Sequence, residues 1–555
     1  MWYLFMCLLF LLGRTTSELD SRLVEITQGP VRGYKDPIED IFVFYGIPYA
    51  KAPTGPQRFK EPLPPPIWVQ TLEAVDNGII CPQFKAPTVA DRFLPKDKIM
   101  QEDCLIANIY VPNTDKKDLP VVVYVHGGGF IVGHGNYVTP KKFVNNRNII
   151  AVTFNYRLGA HGFLCLGTKD IPGNAGMKDQ VALLQWVQKN IKSFRGNPND
   201  VTLAGYSAGS ASVDLIILSK MAKGLFNKVI AESGVNISPF SVQMDPSKNA
   251  KEYARSIGFE NVDDINELQD FFKTIPYDLL QSANVLYRTD SEFLTAPCVE
   301  RDVGQVRFLE DSPVNIIKSG NSLKLPILYG FAEMEGAFRI DLFDHTKDEL
   351  NANFTDFMPS DLTFKNMEEK HDIANRVRRF YFGDKPISDN TVIEHVDLFT
   401  DIVFACPTLR TLKNQVKAGN NQIYLYEYSF VDESTPLIPY TNVRGANHCA
   451  QTNAVMDGVN MTLSDESSIS EDFKKIKGLM RDLWAKFITT GKPESQWVPR
   501  WPTAGEKGSP HMCLKMNPEL RDTSPSVRCQ LWEEIYEKHY RHPIMPSHPT
   551  MHNEL

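Results

Sequence analysis

The stretch Val201-Thr-Leu-Ala-Gly-Tyr-Ser-Ala-Gly-Ser210 decides the fold. Its first four residues predict a short buried strand, and the apolar run that ends at Leu218 predicts a helix. Between them, Gly205-x-Ser207-x-Gly209 matches the sharp strand-to-helix turn that lifts a serine hydroxyl above a sheet. Such a turn also places N–H groups at a helix N-terminus, where negative charge is stabilised. The pattern is short, however, and a plain Gly/Ser turn explains it equally well.

Composition and charge indicate an ordinary globular protein. The chain has 555 residues, of which 42% are hydrophobic and 23% are charged, as in typical soluble domains. A formal net charge of −8 and the lack of a basic run argue against nucleic acid as a partner. The length suits one large α/β domain as well as several smaller ones.

The N-terminus has the pattern of a targeting segment. Trp2 to Leu12 is an unbroken apolar run of 11 residues, followed by Gly13-Arg-Thr-Thr-Ser17. This length suits the core of a signal peptide and is short of the ~20 residues that a membrane-spanning helix needs. We expect a signal peptide over residues 1–17, a mature chain in the secretory pathway and no stable membrane insertion.

Three further features agree with that compartment. Of the nine cysteines, eight follow the signal segment and are able to form disulfides in an oxidising lumen. The sequons at Asn236, Asn353 and Asn460 are candidate glycosylation sites. The chain ends His552-Asn-Glu-Leu555, which resembles the K/H-D-E-L address. We therefore expect a retention receptor as a partner and residence in the endoplasmic reticulum, with secretion as the alternative.

A glycine-rich segment follows a second buried strand. Val121-Val-Val-Tyr-Val125 is a β-branched run typical of a strand that is buried on both faces. It continues into His126-Gly-Gly-Gly-Phe130, where successive glycines expose backbone N–H groups and allow close approach. An oxyanion donor loop belongs at this place in a protein with a G-x-S-x-G turn, whereas a flexible surface loop is the alternative.

The rest of the chain alternates strands with helices. This alternation predicts a mainly parallel sheet covered on both faces, with ligands at the carboxyl ends of its strands. The segments 240–320 and 340–415 read as helical insertions that cap the sheet and shape a pocket. Further buried strands are predicted at 148–156, 228–234, 325–331 and 422–430, and helices at 177–194 and 472–490.

Several motifs, taken in order, are similar to those of the carboxylesterase/cholinesterase family of α/β-hydrolases, and most of all to insect carboxylesterases. They are G-I-P-Y-A-x-x-P-x-G-x-x-R-F, E-D-C-L-x-x-N-x-Y, H-G-G-G-F, G-x-S-A-G, E-S-G, G-x-x-x-x-E-G and G-A-x-H. The resemblance runs from Leu23 to Tyr540. It implies one domain over residues 18–540, with a large, mostly parallel twisted sheet, flanking helices and insertions capping an active-site gorge. A flexible tail is expected over residues 541–555.

The resemblance also implies the active-site residues. Ser207 would be the nucleophile and His448 the base. Glu335 would be the acid rather than Glu333, because the family motif has a glycine directly after the acid. No metal or organic cofactor is implied. The implied oxyanion donors are the N–H groups of Gly128, Gly129 and Ala208.

The family comparison assigns some of the cysteines as well. Cys81 and Cys104 match its first disulfide, and Arg58 with Glu102 matches a structural ion pair. Cys406 and Cys529 match a second disulfide that occurs in some members. The resemblance gives no partner for Cys165, Cys298, Cys449 and Cys513.

Departures from the family pattern narrow the substrate. Tyr206 stands where cholinesterases carry an acidic residue, and the Cys81–Cys104 segment has no Trp to bind a quaternary ammonium. Juvenile-hormone esterases typically carry Gln at the position of Tyr206. The expected function is a serine carboxylesterase that acts on small hydrophobic esters, with a juvenile-hormone or neutral-lipid esterase as runner-up. A non-catalytic, neuroligin-like adhesion scaffold is the alternative from another class, although such proteins usually lack a triad residue.

Overall fold

The computed structural model describes residues 20–84, 98–145, 147–280, 288–457, 469–523 and 527–546. The expected signal peptide, the sequon at Asn460 and the His552–Leu555 ending lie outside these residues. Within the described ranges, no helix combines the length and the apolar character needed to cross a membrane.

Strands make up the centre of the molecule, and most of them are short and rich in β-branched residues. They are β1 (Ser21–Ile26), β2 (Gly29–Lys35), β3 (Ile41–Pro48), β4 (Leu72–Glu73), β5 (Ile79–Ile80), β6 (Ile99–Met100), β7 (Ile106–Pro112), β8 (Leu119–Val125), β9 (Ile150–Phe154), β10 (Gly196–Tyr206), β11 (Lys228–Glu232), β12 (Ile327–Ala332), β13 (Ile423–Tyr428), β14 (His511–Leu514) and β15 (Glu519–Arg521).

One 13-stranded sheet contains all of these strands except β5 and β6, which pair with each other. Its order is β1-β2-β3-β7-β9-β8-β10-β11-β12-β13-β14-β15, and β4 pairs with β2. Every pair from β9 through β14 along this order is parallel, whereas the pairs at both ends are antiparallel. The mainly parallel sheet expected from the alternating pattern is therefore present.

Helices cover the sheet and fill the segments between its strands. The α-helices are α1 (Lys141–Val144), α2 (Gly159–Phe163), α3 (Ala175–Asn190), α4 (Ala208–Ile216), α5 (Pro246–Ser256), α6 (Ile265–Thr274), α7 (Pro313–Lys318), α8 (Phe343–Ala352), α9 (Met367–Phe382), α10 (Val392–Thr400), α11 (Cys406–Lys417), α12 (Ala450–Val455), α13 (Glu471–Thr490) and α14 (Cys529–His539). Helices α5 to α7 and α8 to α11 lie in the two predicted insertions.

The core has one apolar layer on each side of the sheet. Alternate residues of β8 point to opposite faces: Val123 packs in the layer that contains Leu184 of α3, and Tyr124 in the layer that contains Trp484 of α13. Each fully buried side chain of this size contributes about 1.5–3 kcal/mol. Helices on both faces explain why β8 reads as a continuous apolar run rather than an alternating one.

The start of the expected flexible tail packs against the domain. Pro543 and Pro546 are buried, and the N–H of Ile544 donates to the carbonyl of Met244 at 3.0 Å. Two prolines fix the backbone of this segment and present apolar rings to the surface beneath. Residues 541–546 therefore pack against the domain.

Candidate active site

Ser207 occupies a sharp turn between β10 and α4. Its backbone has φ 54° and ψ −128°, a conformation that costs energy for any residue with a Cβ. The flanking glycines permit the turn, because a Cβ on Gly205 would lie 2.5 Å from the carbonyl oxygen of Gly209. A Cβ on Gly209 would lie 2.2 Å from the carbonyl oxygen of Val125. This geometry is the nucleophile elbow that the G-x-S-x-G pattern predicts.

The structure brings Ser207, His448 and Glu335 into a continuous hydrogen-bonded line. Oγ of Ser207 lies 3.0 Å from Nε2 of His448, and Nδ1 of the same ring lies 2.5 Å from Oε2 of Glu335. Each residue follows the carboxyl end of a parallel strand: β10, β13 and β12, respectively. With Nδ1–H donating to the carboxylate, Nε2 is left to accept the Ser207 proton.

Glu335 is held in place by two donors besides the histidine. Its Oε1 accepts the hydroxyl of Ser233 at 2.5 Å and the N–H of Ala332 at 2.7 Å. The side chain of Glu335 is fully buried, whereas Glu333 is exposed. Of the two neighbouring glutamates, Glu335 therefore has the geometry of a histidine partner.

The glycine-rich segment after β8 lies beside the serine. Gly127 packs directly on the elbow, since a Cβ there would lie 2.9 Å from the Cβ of Ser207. Gly128 and Gly129 have φ of 106° and 62°, a backbone conformation that favours glycine. Among the described residues, no protein oxygen accepts a hydrogen bond from the N–H of Gly128, Gly129 or Ala208. These three donors are thus open to an oxyanion.

An aromatic wall borders the imidazole. The ring centroids of Phe404 and Phe338 lie 4.6 Å and 5.5 Å from that of His448. Phe240 lies 6.0 Å from Phe404 and 5.3 Å from Phe293. Phe240, Phe293 and Phe404 come from the insertions and Phe338 follows Glu335 by three residues. None of the four belongs to a motif, so sequence reasoning did not identify them.

A second buried carboxylate, that of Glu232 at the end of β11, lies near Glu335. It accepts hydrogen bonds from the hydroxyls of Tyr426 and Thr452 and from the indole N–H of Trp484. Burial raises the pKa of Glu232 to about 7, although the three donors act in the opposite direction. The E-S-G motif gave the position of this residue but not its partners.

Three disulfides are present, two of which the resemblance implies: Cys81–Cys104 and Cys406–Cys529. The third joins Cys165 to Cys298. Sequence reasoning missed it, since no motif links residues that are 133 positions apart. Among the described cysteines, Cys449 and Cys513 are free and buried. Nε of Arg58 lies 2.8 Å from Oε1 of Glu102, which is the expected ion pair.

Two of the three sequons differ sharply in exposure. Asn236 is 1% exposed, and its side-chain oxygen accepts a hydrogen bond from the hydroxyl of Thr411 at 3.4 Å. Asn353 is exposed at the end of α8. A glycan on Asn353 therefore needs no rearrangement, whereas one on Asn236 is incompatible with its folded surroundings.

One group in the described part of the chain has the spacing of a metal site, namely Asp401, Cys406 and Cys529. Its two sulfurs are bonded to each other, so they are not thiolate ligands. Asp401 is already paired with Arg528, whose Nε lies 2.6 Å from Oδ2. This group is a structural cluster and not a metal centre.

Comparisons with known proteins agree with this fold. The profile described as "Carboxylesterase family" matches residues 20–532. A carboxylic ester hydrolase of Bombus ignitus is 30% identical over 531 residues, which cover 92% of this chain and 94% of that protein. A juvenile hormone esterase of Heliothis virescens is 32% identical over 514 residues, covering 88% and 90%.

A solved structure extends the comparison to three dimensions. The juvenile hormone esterase of Manduca sexta, with OTFP covalently attached, superposes with a TM-score of 0.83 at 28% identity. The match covers 93% of this chain and 100% of that one. The chain belongs to the carboxylesterase family. It has the α/β-hydrolase fold and is a carboxylic-ester hydrolase.

Proposed function

We propose that the protein hydrolyses hydrophobic carboxylic esters through Ser207, His448 and Glu335, with an acyl-enzyme intermediate. The hydrogen-bonded line from Oγ of Ser207 through the imidazole to the buried carboxylate is the observation that carries this proposal. A nucleophile in contact with a base, which is oriented in turn by a third group, is the arrangement that activates a serine hydroxyl.

In the first half of the reaction, Nε2 of His448 takes the Ser207 proton while Oγ attacks the ester carbonyl carbon. The oxyanion that forms faces the N–H groups of Gly128, Gly129 and Ala208. Loss of one such donor typically lowers the rate by about 10²–10³-fold. The alcohol then leaves with the proton from His448, and the acyl group remains on Ser207.

In the second half, water replaces the alcohol and repeats the same steps. His448 takes a proton from the water, the hydroxide attacks the acyl carbon, and Ser207 leaves with the proton restored. Glu335 stabilises the imidazolium in both halves. The proposal therefore expects activity to fall at acid pH, because a protonated His448 cannot accept the serine proton.

The aromatic wall beside His448 favours substrates with hydrophobic acyl or alcohol groups. Phe338 and Phe404 flank the imidazole, and Phe338 is 41% exposed and thus open to a ligand. Tyr206, which replaces the acidic residue of cholinesterases, is buried and stacks on Tyr124 with ring centroids 6.0 Å apart. That position contributes a ring to the core and no negative charge to the gorge, which disfavours a cationic substrate.

A juvenile-hormone-type ester is the second candidate substrate. It is favoured by the similarity to juvenile hormone esterases, one of which superposes over nearly the whole chain. Such a substrate is a hydrophobic ester and fits the same aromatic wall. Competition by a long-chain, branched methyl ester against a p-nitrophenyl ester separates this candidate from a broad carboxylesterase.

An oxidising compartment is supported by the three disulfides, because such bonds form and persist in the secretory pathway and outside the cell. Retention in the endoplasmic reticulum through the His552–Leu555 ending, or secretion, is part of the proposal. The test of retention compares the full chain with a chain that lacks these four residues. The two are compared for their glycan forms and their location in the cell.

Hydrolysis of p-nitrophenyl esters from acetate to laurate tests the catalytic proposal. The purified protein should turn over, whereas Ser207→Ala should lose activity by about 10³-fold or more at unchanged folding. A fluorophosphonate should label the wild type at Ser207 and leave Ser207→Ala unlabelled. Absence of both turnover and labelling in the folded wild type would contradict the proposal and favour a non-catalytic scaffold.

A further inference from the structure

Glu232 contacts both sides of the triad. Its backbone carbonyl accepts the N–H of Ser207 at 2.8 Å, which fixes the nucleophile side. Its side-chain Oε2 accepts the hydroxyl of Thr452 at 3.0 Å, and Thr452 lies in α12, which begins two residues after His448. One residue of β11 thus ties the serine elbow to the helix that carries the histidine loop.

A parallel link through the neighbouring residue strengthens this connection. Nε2 of Gln451, also in α12, donates to Oγ of Ser233 at 2.5 Å, and Ser233 donates to Glu335. The E-S-G motif therefore bonds to α12 twice and to the triad acid once. Because α12 is only six residues long, these two bonds are strong determinants of where His448 lies.

The carboxylate of Glu232 is buried without a cation. The side chain is fully buried, and among the described residues no Lys, Arg or His forms an ion pair with it. The titratable side chains that face the Glu232 carboxylate from the surrounding elements are neutral or acidic. They are Tyr124 on β8, Tyr426 and Tyr428 on β13, Cys449 before α12, and Glu335 after β12.

An isolated buried carboxylate is costly, and a core of similar shape without charge is usually at least as stable. Glu232 therefore lowers stability in its ionised form while it holds α12 against the elbow. A buried charge that lowers stability in this way is found more often at functional sites than in structural cores. The contacts of Glu232 with Ser207 and with α12 indicate that its function is to align Ser207 with His448.

We propose that Glu232 is a positioning residue, which keeps Nε2 of His448 within reach of Oγ of Ser207 by bonding Thr452, and which adds a negative charge behind Glu335. This inference rests on the proposed function. Glu232 touches no reacting atom, so it acts on kcat through His448 and leaves substrate binding largely unchanged. Because burial raises the pKa of Glu232 to about 7, its carboxylate is ionised at higher pH, where its charge adds to that of Glu335 in stabilising the imidazolium that forms during the reaction.

Two substitutions separate the bond from the charge. Thr452→Val removes the hydroxyl that Glu232 accepts and keeps the shape. It should lower kcat about 5- to 10-fold with KM within about twofold, since small misplacements of catalytic groups are costly. Thr452→Ser keeps the hydroxyl and should restore kcat. Glu232→Gln keeps Oε1 as the acceptor for Tyr426 and Trp484 and removes the charge, while its amide N–H takes the place of Oε2 and donates to the Thr452 hydroxyl.

The pH profile is the readout that a merely structural role would not move. With Glu232→Gln, kcat should fall at pH 8, where the wild-type carboxylate is ionised, and change little at pH 6, where burial already keeps it protonated, so that the ratio of kcat at pH 6 to that at pH 8 rises about twofold. Asp361→Asn is the matched control. Asp361 is a fully buried carboxylate that accepts the hydroxyl of Tyr536 at 2.7 Å, and it makes no contact with the triad.

All rates are divided by the concentration of active sites, which is measured by titration with a fluorophosphonate. A poorly folded fraction then does not lower kcat. Wild-type kcat in Thr452→Val, or a ratio of kcat at pH 6 to kcat at pH 8 in Glu232→Gln that equals those of the wild type and of Asp361→Asn, overturns this inference. In either case, normal turnover and labelling of the wild type leave the esterase proposal intact. Failure of the wild type to turn over or to be labelled defeats the proposed function instead.

Discussion

The ring of Phe404 lies 4.6 Å, centroid to centroid, from the imidazole of His448 and is tilted by 34° to it. Phe404 belongs to a π-helical turn, Asp401–Ala405, that runs directly into Cys406. The disulfide from Cys406 to Cys529 anchors this turn to α14. The aromatic contact with the histidine is thus braced by a covalent bond two residues away.

Replacing Phe404 should affect both the histidine and the acyl pocket. With Phe404→Ala, kcat/KM for p-nitrophenyl acetate should fall about 10-fold, because the imidazole loses the ring that restrains it. Longer or branched acyl esters should lose less, because the cavity admits them. Phe364→Ala is the control, since Phe364 packs 5.2 Å from His539 away from the triad. Equal effects on all acyl lengths would contradict this role.

The elbow should not tolerate a side chain at Gly209. With Gly209→Ala, the new Cβ would meet the backbone oxygens of Val125 and His126 at 2.2 Å and 2.7 Å, and neither oxygen is free to move. We expect loss of activity by at least about 10²-fold, because the serine and its oxyanion donors shift together. The measurement is turnover per folded molecule, with folding checked by circular dichroism.

Gly478→Ala is the matched control for that change. Gly478 lies within α13, and a Cβ there has no neighbour within 4 Å. Since Ala is a better helix former than Gly, this variant should be more stable by about 1 kcal/mol and fully active. A Gly209→Ala enzyme as active as Gly478→Ala would contradict the elbow geometry.

Asp214, on α4, should make stability depend on pH. Burial raises its pKa from 3.8 to about 6, against the hydrogen bonds from Tyr329 and Asn236. Because the folded pKa is raised, the stability that this group contributes below about pH 4 is lost as the pH rises through about 6. The loss amounts to at most about 3 kcal/mol.

Asp214→Asn mimics the protonated form and cannot ionise. The difference in free energy of unfolding between Asp214→Asn and wild type should therefore shift in favour of the variant as the pH rises from 4.5 to 7.5. Urea denaturation at both pH values measures it. The substitution also mismatches the N–H of Asn236, but that cost is the same at both pH values and cancels. A difference that does not change with pH would contradict the raised pKa.

The Cys165–Cys298 disulfide should stabilise the domain substantially. It closes a loop of 133 positions between the region of α2 and the first insertion. Replacing both cysteines by Ser should lower the free energy of unfolding by about 4–5 kcal/mol on the chain-entropy estimate. Peptide mapping without reduction should recover Cys165 joined to Cys298, with Cys449 and Cys513 as free thiols. A different pairing would contradict the structure.

Glycosylation should distinguish two of the sequons. In a eukaryotic secretory host, Asn353→Gln should increase electrophoretic mobility by the mass of one glycan, because Asn353 is exposed. Asn236→Gln should not, because Asn236 is buried against Thr411. The readout is mobility before and after enzymatic glycan removal. A glycan on Asn236 in the folded, active protein would overturn the expectation.

The parts of the fold and site that are encoded locally were predictable from the sequence. The strand predicted at 228–234 corresponds to β11 and the helix predicted at 472–490 to α13, each within about three residues. The elbow and the glycine loop follow from close packing of backbone against backbone, which only glycine permits. Glu335 and His448 were assigned through the family resemblance of their motifs, and both lie in segments that follow parallel strands, Glu335 close to the end of β12 and His448 well beyond the end of β13.

Features that depend on distant pairing were not predictable. Of the four phenylalanines of the aromatic wall, Phe240, Phe293 and Phe404 lie in insertions without periodic patterns, and Phe338 lies just before the second insertion. The Cys165–Cys298 disulfide joins two such irregular segments. Glu232 was visible as part of a motif, but its partners come from β13, α12 and α13 and meet only when the chain folds. Packing between elements decided these cases, and no local preference encodes it.

Because the proposed catalytic residues and the aromatic wall lie in different parts of the chain, mutations can change substrate selectivity separately from catalysis. Ser207 directly follows β10 and Glu335 follows β12 by three residues, whereas Phe240, Phe293, Phe338 and Phe404 belong to segments between the strands. On the proposed function, changes at Phe240 and Phe293 should alter which esters fit with little effect on proton transfer, because Phe338 and Phe404 are the two of these rings that lie against the imidazole. A library that randomises Phe240 and Phe293 should therefore yield many active variants with new selectivity, and a gene under selection from new esters has the same short route to adaptation.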